Sequence, residues 1–174
     1  MPPQKETVIK LTSARYKKPG VSEQAFHDYG TRVQAPKAAI IQARHGALKV
    51  SQYHTPTSFQ HLFRTQLPWA VRGPGWSIDD HDIFISVYVR KVDDLVKIVM
   101  DPEFQALVAG EDDIVDGMRG TVSAGWEEVY VEDGKIVIVV EWESMYPGFE
   151  EAVEVVGRGW GEGEGGEVPK ELAF

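Results

Sequence analysis

The chain has 174 residues, a net charge of −9 and no cysteine, with 43% hydrophobic and 26% charged residues. This size and composition fit one globular domain with a sizeable core, and the lack of cysteine excludes disulfides, thiolate nucleophiles and Cys-ligated metals. Most of the acidic excess follows residue 140, where nine Glu stand against two basic residues. Neither part of the chain has the clustered Lys and Arg that nucleic acid binding needs.

The sequence shows no sign of a membrane or secretory protein. No apolar run approaches the roughly 20 residues that a membrane-spanning helix needs. The first residues, MPPQKETV, contain no hydrophobic signal region. We therefore expect a cytoplasmic protein without a membrane partner.

The first third of the chain alternates between strand and helix patterns. Ser22 is a good N-cap, because its hydroxyl accepts from free N–H groups of the first helical turn. Pro36 is tolerated in the first turn of a second helix, and Gly46 fits the residue just past its end. The predicted elements are a strand at 7–16, helices at 22–33 and 35–45, and a strand at 47–54.

Residues 55–80 are the least regular part of the body. A short helix at 58–66 precedes LPWAVRGPGWSIDD, which is rich in Pro, Gly and Trp. Loops of this length in a compact domain are usually functional or mobile. We expect a lid in which Trp69 and Trp76 close over an apolar ligand.

The second half of the chain repeats the strand, helix and strand patterns. Apolar residues after Val92 follow helical spacing, and Asp101 caps a further helix that begins at Pro102. The predicted elements are a strand at 82–90, helices after 92 and 102, a strand at 121–131, and a strand at 135–142 that pairs back across a tight turn at 132–134.

This order predicts an α+β, ferredoxin-like βαββαβ plait with an extra C-terminal hairpin strand. The helices of such a plait cover one sheet face, so the other face is buried most simply against a second copy, as a homodimer. Residues 1–142 would form the domain, and residues 143–174 an acidic, Gly-rich tail. The tail is either a flexible linker or docks on a partner subunit through its apolar residues, which are Val153, Val155, Val156, Trp160 and the terminal LAF.

Chemistry is expected from side chains alone. The five histidines form no HxH, HExxH or two-His-one-carboxylate pattern, GxSxG is absent, and GRGWGEGEGG does not follow a strand. We therefore expect neither a metal nor a cofactor. Proton transfer near neutral pH then falls to histidine.

Three histidines are the candidate acid–base groups. His54 shares its strand face with Leu48 and Val50, so it either enters an apolar pocket, which would lower its pKa, or faces solvent at the strand end. His81 lies in DDHD. Either a neighbouring carboxylate orients its ring, or the four residues form a solvated loop cluster. His27, in the first helix, is either inward or exposed.

Several segments resemble one family. RYKKPGVSEQAFHDYG followed by QAP is similar to the opening of EthD-like proteins in the dimeric α/β-barrel superfamily, which show a strand, kkPG, an eFhdYW helix and HAP. DPEFQALVAGEDDIVD and the strand with GWEEV also look like this family, so the resemblance covers residues 6–131. The chain looks most like small fungal decarboxylases, dehydratases and cyclases that act beside polyketide synthases.

The sequence departs from the family pattern at two positions. Gln34 replaces the His of HAP, and Gly30 replaces the Trp of hdYW. Gln exchanges hydrogen bonds but takes no proton at ordinary pH. If the family His is a base, its task has moved to His54 or His81, the reaction has changed, or activity is lost.

The resemblance implies a cofactor-independent lyase or cyclase that decarboxylates, dehydrates or cyclises an aromatic or polyketide-type intermediate in secondary metabolism. His54 would shuttle the proton, and His81 would be a second acid–base or oxyanion-stabilising group. His27 and Gln34 would hydrogen-bond a ligand oxygen. A cofactor-free monooxygenase of the same fold and a non-catalytic, ligand-binding dimer are the alternatives. The remaining substrate-binding candidates are Tyr29, Tyr53, Trp69, Trp76 and Tyr88.

Overall fold

A four-stranded antiparallel sheet organises the protein in a computed structural model that describes residues 5–137, 139–140 and 143–157. The strands are β1 (Ile9–Lys17), β2 (Lys49–His54), β3 (Ile83–Val89) and β4 (Val115–Gly125). Their order across the sheet is β2-β3-β1-β4, and each neighbouring pair is antiparallel. This is the order of a ferredoxin-like plait, so the predicted fold class is confirmed.

Helices fill the connections between these strands. The N-cap predicted at Ser22 is confirmed, because its Oγ accepts from the Ala25 N–H at 3.1 Å. Within the part of the chain that the structure describes, every helix is too short or too polar to cross a membrane. The helices up to β4 are α1 (Glu23–Asp28), α2 (Ala35–Arg44), α3 (Thr57–Gln66), α4 (Val92–Met100) and α5 (Pro102–Ala109), with a π-helical turn at Tyr29–Gln34 and a 3-10 turn at Pro68–Ala70.

The first connection is one continuous helical run, so the prediction of two separate helices was wrong. Pro36 lacks an N–H, and in a regular α-helix its ring would crowd the carbonyl of Arg32. The π-helical turn just before it relieves this conflict, and the Ala35 N–H donates to the carbonyl of Gly30. The run therefore continues past Pro36, with Gly30 and Gln34 buried in the π-helical turn.

The two faces of the sheet differ in chemistry, because side chains alternate along each strand. The helix-covered face carries the apolar core, in which Ile9, Val87 and Val89 pack with Ile98 of α4 and with Val155. Strand pairing places the β2 residues Val50, Gln52 and His54 on this face, opposite Val87, Ile85 and Ile83. The second face carries Lys10, Thr12, Tyr53, Phe84, Ser86 and Tyr88.

Removing apolar volume from this core should destabilise the fold. Ile98 is 3% exposed, and replacing it by Ala leaves a cavity against β1 and β3. We expect Ile98→Ala to lower the free energy of unfolding by about 2–5 kcal/mol. The neighbouring Val99 is 37% exposed, so Val99→Ala should cost less than about 1 kcal/mol. Urea titrations of both variants check this, and equal losses would contradict the assigned core.

The prediction for the fourth strand was wrong in its position, since β4 spans Val115–Gly125 instead of 121–131. Most of β4 is exposed, so its sequence lacks the apolar alternation that marks a half-buried strand. Gly120 fits a close approach to β1, because an added Cβ would lie 3.0 Å from the carbonyl oxygen of Ala14. The strand is therefore set by pairing with β1 and not by burial of its own side chains.

After β4 the chain forms two short hairpins. β5 (Val131–Glu132) pairs with β6 (Lys135–Ile136). The tight turn between them is confirmed, with positive φ at Asp133 and Gly134. β7 (Val139–Val140) pairs with β8 (Glu143–Ser144), whereas residues 138 and 141–142 of the predicted 135–142 strand lie outside the described residues.

The chain from 143 to 157 continues into α6 (Phe149–Val153) and a 3-10 turn (Glu154–Gly157). Ala152 and Val155 are 1% and 3% exposed, and Val155 belongs to the core cluster. Val155 thus packs on its own domain. The domain boundary at 142 stays a prediction, and the Gly- and Glu-rich end, with Trp160 and LAF, lies outside the described residues.

Candidate active site

A cavity of about 310 Å³ lies between the helix-covered face and the first helical run. We call it the cleft. Apolar side chains such as Ile85 and Phe104 line it together with several polar groups. An apolar cavity with a few convergent polar groups is typical of a small-molecule site. The polar residues are Arg15, Thr31, Gln34, Gln42, Ser51 and Gln52.

A second cavity, of about 440 Å³, contains two histidines, His27 and His54, and we call it the histidine pocket. Their ring centroids lie 4.7 Å apart. His54 is the next residue of β2 after Gln52 to face the helices. The Gln52 Nε2 donates to the Gly30 carbonyl at 3.5 Å. The histidine pocket and the cleft therefore lie side by side, with Gln52 and Gly30 at their boundary.

The electrostatics of His54 favour a neutral imidazole. Burial lowers its pKa below the ordinary value of 6.5, and the nearby charge of His27 lowers it further. This is the direction that the sequence predicts for a pocket position. The His27 side chain is 51% exposed and lies 3.8 Å from Asp28 Oδ1. The pair thus combines a base that is neutral near pH 7 with a solvent-connected neighbour.

Two glutamines give the cleft hydrogen-bonding capacity. Gln34, which stands where the family pattern has His, is 9% exposed and lines the cleft. Gln42 is 4% exposed, and its Oε1 has no hydrogen-bond partner among the described residues. A buried amide oxygen without a donor is costly. A ligand hydroxyl bound in the cleft would remove that cost.

Arg15, at another wall of the cleft, forms a charged pair with Glu111 behind it. Arg15 Nη1 donates to Glu111 Oε2 at 2.8 Å, and Glu111 is 4% exposed. Burial raises the pKa of the Glu111 carboxyl, although Arg15 opposes that rise. The sequence did not point to this pair, because its two residues are far apart in the chain and no local pattern links them.

His81 lies on the second face of the sheet, away from the other two histidines. Its ring stacks on Tyr16 with centroids 4.4 Å apart and contacts Phe84 of the second face at 5.6 Å. Its Nδ1 lies 2.9 Å from Asp79 Oδ1. The structure therefore does not bring the three candidate histidines into one site, and the catalytic role of His81 stays a prediction.

The same loop holds the one group with metal-ligand spacing among the described residues. Asp79, Asp80 and His81 place possible ligand atoms within 4.8 Å of one another. Asp79 already bonds His81, and Asp80 accepts from the Tyr16 hydroxyl at 2.7 Å. These contacts hold the three side chains together in the loop, and the absence of a metal stays a prediction.

The aromatic residues predicted to bind substrate do not gather around the cleft. Tyr88 is buried on the second face, where its hydroxyl donates to Glu127 Oε2 at 2.7 Å, and Tyr53 lies on the same face at 64% exposure. The Tyr29 hydroxyl donates to the Gly110 carbonyl at 3.2 Å. Trp69 and Trp76 are 71% and 62% exposed, so most of each side chain faces solvent and a lid role stays a prediction.

Comparison with known proteins adds a family match. The EthD domain matches residues 18–118 of the chain. A protein of Aspergillus terreus whose name proposes an oxygenase is 36% identical over 172 residues, covering 97% of this chain and 99% of that protein. The dehydratase iacD of Pestalotiopsis fici is 29% identical over 134 residues, covering 77% and 96%. The decarboxylase claH of Passalora fulva is 27% identical over 132 residues, covering 73% and 80%.

Among solved structures, an EthD family protein of Bacillus halodurans is similar, with a TM-score of 0.46 and 18% identity. The similarity covers 70% of this chain and 99% of that protein.

Proposed function

Because this chain belongs to the EthD domain family, we propose that it is a cofactor-independent enzyme acting on an aromatic or polyketide-type intermediate. The observation that carries the proposal is the partly buried His54 ring, which lines a pocket beside the cleft and whose pKa burial lowers. The names of two relatives, a dehydratase and a decarboxylase, support a lyase, and cyclisation needs the same proton transfers. The substrate would lie in the cleft, with its reacting atoms towards the histidine pocket.

His54 acts in this proposal as the proton-transfer group. In a dehydration, its neutral ring takes a proton from carbon, a C=C bond forms as the C–O bond breaks, and the imidazolium gives that proton to the departing hydroxide, which leaves as water. In a decarboxylation, the carbanion left after loss of CO2 gains a proton, which His54 carries from solvent. The His27 ring lies beside that of His54, with ring centroids 4.7 Å apart, and its exposed side connects the pair to solvent. Gln34 holds a substrate oxygen by hydrogen bonding and takes no proton itself.

A cofactor-free oxygenase is the second candidate. The Aspergillus terreus relative, which matches nearly the whole chain, carries an oxygenase name. Incubation of the purified protein with carboxylated aromatic polyketides, with and without oxygen, distinguishes the two. The lyase proposal expects release of CO2 or water at equal rates in both atmospheres. Oxygen-dependent product would favour the oxygenase, and ligand binding without turnover would favour a binding protein.

Removing His27 should shift the pH at which activity begins, although burial is the larger cause of the lowered His54 pKa. In the dehydration route His54 must be neutral to act as a base, so activity falls as pH drops through its pKa. In His27→Gln the pKa of His54 should rise towards its ordinary value, because one of the two causes that lower it is gone. We expect the acid limb of kcat/KM to move to higher pH, with the plateau within about threefold of wild type. The control is the same substitution at the exposed His61, and the pH profile of His61→Gln should match that of wild type. An unmoved acid limb in His27→Gln would contradict this pairing.

We also propose a homodimer that pairs through the second face. The apolar core packs on the opposite face, so Tyr53 and the neighbouring ring of Phe84 are left on the second face for association. Sedimentation equilibrium of the full chain should give the mass of two chains, and a monomer at micromolar concentration would contradict this. The cytoplasmic location stays a prediction.

A further inference from the structure

We propose that Arg15 binds a carboxylate of the substrate, so that the cleft selects aromatic acids over the corresponding neutral compounds. This inference rests on the proposed function, because it takes the cleft as the substrate site. It adds a substrate class to that function. Arg15 was not among the residues that the sequence marked for binding.

The position of Arg15 suits this task. It lies on the helix-covered face of β1, opposite Ile83 of β3, and lines the cleft. Its Nε donates to Ser13 Oγ at 3.3 Å and its Nη1 to Glu111 Oε2 at 2.8 Å. A guanidinium has five N–H donors in a planar fork that matches a carboxylate. These two contacts fix the fork and leave further donors for a ligand.

Glu111 orients Arg15 without holding its charge as firmly as an exposed carboxylate would. Burial disfavours the ionised form of Glu111 and raises its pKa. Its Oε1 also has no hydrogen-bond partner among the described residues. Burial therefore weakens the competition that the Glu111 carboxylate offers to a ligand carboxylate for Arg15. Glu111 acts as a positioning residue in this arrangement.

The other polar walls of the cleft match the rest of a hydroxylated aromatic acid. The Oε1 of Gln42, which lacks a donor, accepts from a ring hydroxyl, and Ile85 and Phe104 contact the ring. The cleft thus offers a cation for the acid, an acceptor for a hydroxyl and apolar walls for the ring. Arg119 lies instead over the Tyr16 ring, 4.2 Å from its centroid, and has no part in the cleft.

The test compares binding of hydroxynaphthoate with that of naphthol, which lacks the carboxylate, by titration calorimetry on the full chain. Arg15→Gln removes the cation but leaves the buried Glu111 carboxyl group without its partner. The double variant Arg15→Gln with Glu111→Gln avoids this, because it removes both charges together. Thermal melts followed by circular dichroism establish that each variant is folded. Arg119→Gln is the matched control, with the same change of charge.

We expect wild type to bind hydroxynaphthoate more tightly than naphthol. Affinity for hydroxynaphthoate should fall roughly 10- to 100-fold in the single and double variants, and that for naphthol less than about threefold. Arg119→Gln should leave both unchanged. Equal hydroxynaphthoate affinity in wild type and the double variant, or an equal loss in Arg119→Gln, would overturn the inference. Binding that depends on Arg15 but is followed by no turnover of any aromatic acid would contradict the proposed function and leave this inference standing.

Discussion

Replacing His54 by Gln should lower kcat by about 10²- to 10⁴-fold, the contribution typical of a positioned general acid or base. Gln keeps hydrogen-bonding groups at this position but cannot accept a proton. His54 is partly buried, and among the described residues His27 carries the only other imidazole in ring contact with it. The acid limb of the pH profile should disappear together with the activity.

Two further histidines provide controls for this result. His61 is exposed on α3, so His61→Gln should retain full activity. His81→Gln tests the role that the sequence suggests for His81, which the structure places on the second face. A loss of activity in His54→Gln but not in the other two variants would support catalysis in the histidine pocket. Unaltered turnover in His54→Gln, or a comparable loss in His81→Gln, would place the chemistry elsewhere.

Filling the space beside Gly30 with a large side chain should strongly reduce kcat/KM. Gly30 is buried, and a Cβ added to it would lie 4.0 Å from Gln52 Oε1, its nearest neighbour outside the helix. A Trp at this position would extend into the boundary between the cleft and the histidine pocket. We expect Gly30→Trp to reduce kcat/KM by about 10²-fold or more, because a small displacement of bound substrate already costs this much.

Gly30→Ala is the control for that substitution. Its methyl group makes an ordinary contact, and Ala stabilises a helix by roughly 0.5–1 kcal/mol relative to Gly. Gly30→Ala should therefore melt slightly higher than wild type and keep its activity. If Gly30→Trp is folded and equally active, the substrate does not occupy this space.

Local patterns were enough to predict much of the fold. The cap at Ser22 and the turn at Asp133 each depend on a few adjacent residues, and both lie where the sequence predicts. β4 could not be located in the same way, because its pairing with β1 leaves most of its side chains exposed. The π-helical turn escaped prediction because Pro36 has the signature of a helix start.

In the candidate site, too, local patterns located some residues and missed those that tertiary contacts bring together. Alternation along β2 correctly joined His54 to Val50, and it could also have identified Gln52, which shares that face. His81 precedes β3, and strand alternation does not extend into a loop. The pairing of Arg15 with Glu111 depends on how the sheet and the segment after α5 meet. Only tertiary structure shows it.

A crystal structure with a bound aromatic polyketide acid tests the central claim most directly. We expect the ring in the cleft between β2 and α2, and a reacting atom or oxygen of the ligand within hydrogen-bond distance of the His54 ring. A ligand seated on the second face beside His81, with the cleft empty, would contradict the account.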